Sequence, residues 1–300
     1  MISVSPQDLF ALGAAFCWAL TGFISSGPSK YLGSMAFTRW RMLLVALMLW
    51  PIVLVLGSWQ TLQVSQLGVL ALSGLIGIFV GDTALFGALN RLGPRRTSVV
   101  FATHALFSAL LGSVFLGERI GLQAGLGGIL VVGGVMIAVM FGKHKDDDHD
   151  WETLGGAWKT GVALALLAAL CQAVGSLIAK PVMAQGVDPV AATTVRVTAT
   201  CLAQFALLWS GFAAAKAQQA ANAAVLRQVA LSGFIGMGIG MSMVLMALKH
   251  GDVGTVGILS SVTPVLVLPV LWVLLGRAPA RGAWAGSLLT VAGTVMVLAR

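Results

Sequence analysis

Asp82 and His104 lie inside apolar stretches of this 300-residue chain, with Arg39 and Arg41 near the start of an earlier one. A charge at bilayer depth is expensive, so these side chains are functional candidates by default. At 1.5 Å of rise per residue, Asp82 and His104 each sit about 10 Å from the same membrane face. Two readings follow. In one, His104 titrates near neutral pH and Asp82 tunes it, as a proton-coupling pair. In the other, Asp82 forms a static ion pair with Arg39 or Arg41, which enter from that face at similar depth. His104 has a further possible role, a hydrogen bond to a substrate or to a freed backbone carbonyl. Metal ligation is not expected of it, because no second His, Cys or carboxylate stands one turn away on its helix.

A second set of candidates is uncharged. The run GTVGILSSVTPVLVLPVLWVLLG, residues 254–276, is long enough to cross a bilayer, yet carries Pro264 near its middle and Pro269 soon after. Proline removes a backbone donor and clashes with the preceding turn. Carbonyls freed at membrane depth are tolerated only when buried in protein or lining a wet cavity. An interrupted, substrate-lining span is therefore expected, with Ser260, Ser261 and Thr263 facing the cavity. Thr21, Ser25, Gln172 and Ser176 are further cavity polars, and Trp18, Phe101 and Phe86 are placed to stack on an aromatic or neutral substrate. Met237, Met241, Met243 and Met246 supply flexible thioethers that re-pack around varied ligands, or else ordinary packing. Trp50, Trp59, Trp158 and Trp284 fall at span ends, where Trp anchors a helix in the interface.

These residues must be positioned by membrane helices. Hydrophobic residues make up 58% and charged residues 9% of the chain, against about 25% charged in an ordinary soluble domain. Mean hydropathy is +0.95. The apolar runs predict an all-α integral membrane protein of ten spans, at 9–27, 35–56, 67–89, 98–116, 122–141, 161–179, 190–212, 227–248, 254–275 and 283–299. MISVSPQDLF has no basic n-region, so no cleavable signal is expected. Cys17, Cys171 and Cys201 fall inside apolar runs and read as packing residues rather than a disulfide framework.

Two similar halves, 1–142 and 160–300, flank a charged linker at 143–159, KHKDDDHDWETLGGAWK. Its His144, His149 and aspartates match no coordination geometry and read as a solvated connection. A shift of 159 residues aligns 71–134 with 230–293 without a gap, 17 of 64 positions being identical. Arg41 corresponds less exactly to Arg196, and Cys17 to Cys171. Five spans per half is an odd number, so the second copy enters the membrane from the opposite side, as an inverted repeat around a central cavity. Lys and Arg number 11 in loops after odd-numbered spans and 4 on the other face. The positive-inside rule puts the linker in the cytoplasm and both termini outside.

The five-plus-five repeat, with TSVVFATHALFSALLGSVFLGERIG (97–121) and TVGILSSVTPVLVLPVLWVLLGRAP (255–279), resembles the EamA-type ten-span exporters of the drug/metabolite transporter superfamily. The family's segment is a small-residue helix with a central Pro that ends in a leucine-rich run and Gly-Glu. The first copy keeps Gly117-Glu118 but has His104-Ala105 where the second has Thr263-Pro264; the second ends in Gly276-Arg277. The resemblance implies secondary export of amino acids, purines, toxic cations or sugar nucleotides. Exporters of neutral and aromatic amino acids are the branch it resembles most. It also implies both termini in the cytoplasm, opposite to the charge count.

The expected function is export of small amphipathic metabolites across a bacterial-type inner membrane, by rocking of the two repeats about a midplane site. Gly and Pro in spans three, four, eight and nine would act as hinges. Because the prolines occupy one copy alone, the two halves are expected to bend differently. The substrate set is Trp18, Thr21, Phe101, His104, Gln172, Ser176, Met237, Met241, Ser260, Thr263 and Pro264, with no metal and no cofactor. The partners are a small-molecule substrate and the lipid bilayer, without nucleic acid, and a monomer suffices. Gly236-x-Gly238-x-Gly240 lies within a span with no strand before it, so it is not a nucleotide loop. Without a Walker lysine, a serine elbow or HExxH, neither ATP-driven transport nor enzymatic activity is expected. An uncoupled facilitator and an integral-membrane transferase are the rival readings.

Overall fold

A computed structural model describes residues 5–119, 121–140, 158–266 and 281–298. The charged linker up to residue 157, Pro269 and Gly276-Arg277 lie outside the described residues. Ten membrane helices follow in order: α1 (Pro6–Leu32), α2 (Ser34–Val55), α3 (Val64–Gly93), α4 (Arg96–Leu116), α5 (Leu122–Met140), α6 (Trp158–Ala184), α7 (Pro189–Trp209), α8 (Ala223–His250), α9 (Val253–Leu266) and α10 (Arg281–Leu298). Seven are long and apolar enough to cross a membrane, and α5, α9 and α10 are shorter apolar helices over the described residues. The chain is an all-helical membrane protein built of two five-helix halves.

The helix ends have local causes. α1 opens on a capping box, in which Ser5 N–H donates to Asp8 at 3.1 Å, with Pro6 at the first helical position. Pro189 repeats that arrangement at α7, where the Asp188 carboxylate accepts from the Val190 and Ala191 amides, each at 2.9 Å. Asn222 caps α8 by accepting from the Val225 amide. Between α3 and α4 the chain turns at Gly93, whose φ of 76° is open to glycine and strained for other residues. After α4, Glu118 reaches the other half and accepts from the Val253 and Gly254 amides at 2.7 and 3.1 Å. That places a carboxylate on the exposed donors and positive dipole end of α9.

The packing is two-fold. α2 packs on α7, α4 on α9 and α5 on α10; α3 packs on α6, and α8 on α1. Exchanging the halves maps this set of neighbours onto itself. The reciprocal, self-complementary contact typical of an isologous interface therefore occurs within one chain. Between α5 and α10, a Cβ on Gly127 would lie 2.7 Å from the Gly293 carbonyl, and one on Gly293 would lie 2.5 Å from the Gly127 carbonyl. Gly134 and Gly286, their equivalents, meet in the same way. Lipid gives helices no hydrophobic drive to associate, so close approach through small residues has to supply it.

The two halves interrupt a helix at equivalent residues, although proline stands beside the break in the second half alone. α4 is interrupted at Ala102-Thr103 and α9 at Ser261-Val262, positions related by the 159-residue shift. Short turns replace the α ladder in both: Thr103 N–H bonds the Val100 carbonyl at 3.2 Å, and Val265 N–H bonds the Val262 carbonyl at 2.9 Å. Hydroxyls occupy carbonyls in both broken turns, one residue apart under the shift: Thr103 on Val100 at 2.6 Å and Ser261 on Ile258 at 2.8 Å. Side-chain bonding back to the ladder weakens the helix without proline, which explains the bend in α4. A second paired irregularity lies in α3 and α8, as π-helical turns at Leu75–Val80 and Phe234–Met241. Such turns concentrate at functional sites.

Candidate functional site

Each π turn receives a buried arginine from the opposite half. Arg41 of α2 lies against Gly236, where a Cβ would stand 2.5 Å from its guanidinium, and Arg196 of α7 lies against Gly77 at 3.1 Å. A larger residue at either glycine would displace the cation. Arg41 Nη1 donates to the Asp82 carboxylate at 2.9 Å, and both side chains are buried. Its equivalent, Arg196 Nη1, donates to the thioether of Met241 at 3.1 Å. Met241 occupies the place of Asp82 under the 159-residue shift, so the second half keeps the cation and has lost the anion. The Nε of both arginines is without a partner among the described residues. Among the described residues the Asp82 carboxylate is in a salt bridge with Arg41, and Arg196 has the thioether in its place. Buried charges demand compensation, and this centre carries one cation in excess.

Asp82 thus meets Arg41, while Arg39 turns away and donates to the Ala215 carbonyl at 2.6 Å. No hydrogen bond joins Asp82 to His104 among the described residues. His104 is buried at the start of the second segment of α4, its ring 5.0 Å from that of Phe101. Gly257 of α9 packs on Ala105 and Ser108 of α4. Because Gly257 is the counterpart of Ser98, the two helices cross midway between 98 and 105, on their broken turns. The crossing therefore collects Phe101, His104, Ser260, Thr263 and Pro264 near the pseudo-axis, with α6 against α4 and α1 against α9.

Trp18 and Thr21 of α1 lie against the second π turn. The Trp18 indole donates to the Gly236 carbonyl at 3.1 Å, and the Thr21 hydroxyl donates to the carbonyl of Trp18 at 3.1 Å. Trp18 thereby satisfies a backbone group beside the π turn. Gln172 and Ser176 of α6 are buried on the equivalent helix, and Met237 is buried in α8. Cys17 packs on Gly240 as Cys171 packs on Gly81, and the three thiols are free.

A cleft of about 960 Å³ lies elsewhere, between α3, α6 and α7, and includes Thr83, Gly87, Arg91 and Gln204. None of the substrate set lines it. Neither this cleft nor the Arg196–Met241 contact was anticipated from sequence. The available signals were Met241 standing 159 residues after Asp82, and Gln204 lying inside an apolar run.

Comparison with known proteins gives three findings. The EamA-like transporter family profile matches residues 5–140 and 159–299. An uncharacterized transporter of Archaeoglobus fulgidus is 24% identical over 171 residues, spanning 57% of each chain. The chain thus matches little more than half the length of that curated relative. A crystal structure, described only as that of a protein, superposes with a TM-score of 0.77 at 18% identity, over 98% of this chain and 96% of the other.

Proposed function

From the premise that this chain belongs to the EamA-like transporter family, a transporter family and not an enzyme family, we propose that it exports small amphipathic metabolites, chiefly neutral and aromatic amino acids. The supporting observation is the crossing of α4 and α9 on their broken turns at the pseudo-axis. Unwound turns in paired helices are the usual makings of a midplane site between inverted repeats. On this reading the substrate meets His104, Phe101, Ser260, Thr263 and Pro264 at the crossing, with Trp18, Thr21, Gln172, Ser176, Met237 and Met241 on the flanking helices. Alternating access is rocking of one five-helix half against the other, and the π turns and broken turns are where helices yield. The charge distribution favours a cytoplasmic linker and external termini in an inner membrane.

A second reading, uncoupled facilitation, is favoured by the Arg41–Asp82 bond, because a carboxylate held by a guanidinium is a poor proton carrier. Purified protein in liposomes, assayed with amino acids, purines and cationic drugs with and without a pH gradient, tests both. Amino acid flux that a pH gradient accelerates supports coupled export, and flux indifferent to it supports the facilitator. Movement of purines or cations alone would overturn the substrate assignment.

A further inference from the structure

The cleft lies between the halves, lined by α3 of the first and by α6 and α7 of the second. Its floor on α3 is made by Ala84 and Gly87, and the 159-residue shift puts Met243 and Met246 in their places. At the related junction of α8 with α1, Met243 fills the space, its methyl standing 2.5 Å from where a Cβ on Gly13 would be. Gln204 on α7 corresponds to Leu49 on α2, and Arg91 to His250. Since Leu49 and two methionines serve the fold at one junction of the halves, the polar set at the other is not required by packing.

Two features of that set point to a ligand. Gln204 is fully buried and its amide nitrogen donates to the Thr83 hydroxyl at 3.0 Å, while its amide oxygen has no donor among the described residues. An unmatched buried acceptor is costly and calls for an N–H or O–H from outside. Arg91 folds back along α3 and donates to the Gly87 carbonyl at 2.8 Å. Gly87 and Thr83 are one helical turn apart on α3, so Arg91 marks one end of the cleft and the Gln204–Thr83 pair a place one turn along it. No acidic side chain lines the cleft among the described residues, and Lys216 adds a second cation to its lining. An acceptor and a cation separated by one turn match the ammonium and carboxylate of an α-amino acid laid between them. Phe79, Leu164 and Leu207 then form the apolar wall for its side chain. The volume falls within the roughly 300–1,000 Å³ of small-molecule clefts.

We propose that this cleft is a second amino acid site, away from the α4–α9 crossing: the Gln204 amide oxygen takes the ammonium group and the Arg91 guanidinium takes the carboxylate. The inference rests on the amino acid reading above and names where such a substrate first docks, on the face that carries the basic loops.

The test is equilibrium binding of radiolabelled phenylalanine to the purified full chain in detergent. Phenylalaninamide, which lacks the carboxylate, and N-acetylphenylalanine, which lacks the ammonium, serve as competitors. Wild type is expected to disfavour each analogue by about tenfold or more, the scale set by losing one charged hydrogen bond. Arg91→Gln should erase discrimination against the amide alone, and Gln204→Leu against the acetyl compound alone. Ala84→Met, which installs the residue of the other half, should abolish binding to the cleft even if the polar variants fold poorly. Saturable binding whose discrimination is unchanged in all three variants would overturn the site, as would absence of phenylalanine binding to wild type. Liposome flux separates the two claims: flux with unchanged discrimination removes the site and leaves export standing. Binding that depends on Arg91 and Gln204 without any flux removes export and leaves the site.

Discussion

The α3–α6 and α8–α1 interfaces are related by the pseudo-two-fold axis, yet they are closed by different means. At α3–α6 backbone meets backbone: a Cβ on Gly175 would stand 2.9 Å from the Gly77 Cα, and the Ser73 hydroxyl donates across to the Gly175 carbonyl at 2.6 Å. At α8–α1 the place of Gly175 is taken by Thr21, which meets Gly236, and Trp18 closes the gap through its indole N–H. The hydroxyl of Ser232, the counterpart of Ser73, bonds within its own helix, to the Val229 carbonyl at 3.1 Å. The first interface also holds the carboxylate, and the second the thioether. One interface is thus closed by backbone contact and charge, the other by side chains that can re-pack. The pseudo-two-fold axis therefore relates a stiff interface to an adaptable one.

The largest test of that difference concerns the charge. Asp82→Met leaves the buried Arg41 guanidinium unpaired, and an uncompensated buried charge costs about 3–5 kcal/mol. The loss should appear as a lowered midpoint of thermal unfolding in detergent. Met241→Asp gives Arg196 its own carboxylate, and combining it with Asp82→Met moves the ion pair into the other half. The combined variant should recover most of the lost stability, since the two niches are equivalent. If it is no more stable than Asp82→Met alone, the niches are not equivalent.

Backbone contact comes next. A Cβ on Gly74 would fall 2.5 Å from the Arg196 carbonyl oxygen, which can move only with α7. On Gly233, its counterpart, it would fall 2.6 Å from a Val45 methyl, which rotates. Gly74→Ala is expected to cost about 1–3 kcal/mol by overpacking, and Gly233→Ala distinctly less. Equal shifts in the same unfolding assay would contradict a stiff and an adaptable interface.

The smallest effect concerns the serines. Ser73→Ala removes a bond between helices and should cost about 1 kcal/mol, whereas Ser232→Ala removes a local one and should be near neutral. Amide exchange at the α3 π turn should quicken for Ser73→Ala, with no matching change at the α8 turn for Ser232→Ala. Similar exchange in both variants would show that the hydroxyl does not tie α3 to α6.

The ten spans, the inverted repeat and the unusual centre of α9 were legible because each depends on composition or local pattern. Apolar runs of bilayer length define helices, five per half imposes inversion, and the 159-residue shift survives in ordered glycines. Legibility fell where a choice depended on direction in space. Sequence left Asp82 open to Arg39, Arg41 or His104, and depth alone could not separate them. The helix rotation that turns Arg41 inward and Arg39 to Ala215 decided it. Proline stands beside the break in α9 alone, yet hydroxyls bonding back to the ladder interrupt α4 as they do α9.

What the sequence determined by itself is therefore the class, the repeat and the stock of polar residues held at membrane depth. Tertiary structure alone decided which arginine found the acid, which found a thioether, and where between the halves a cleft stands open. The physical reason is range. Hydropathy and periodicity act within a single helix, whereas a buried charge or cavity is defined by atoms that only packing brings together.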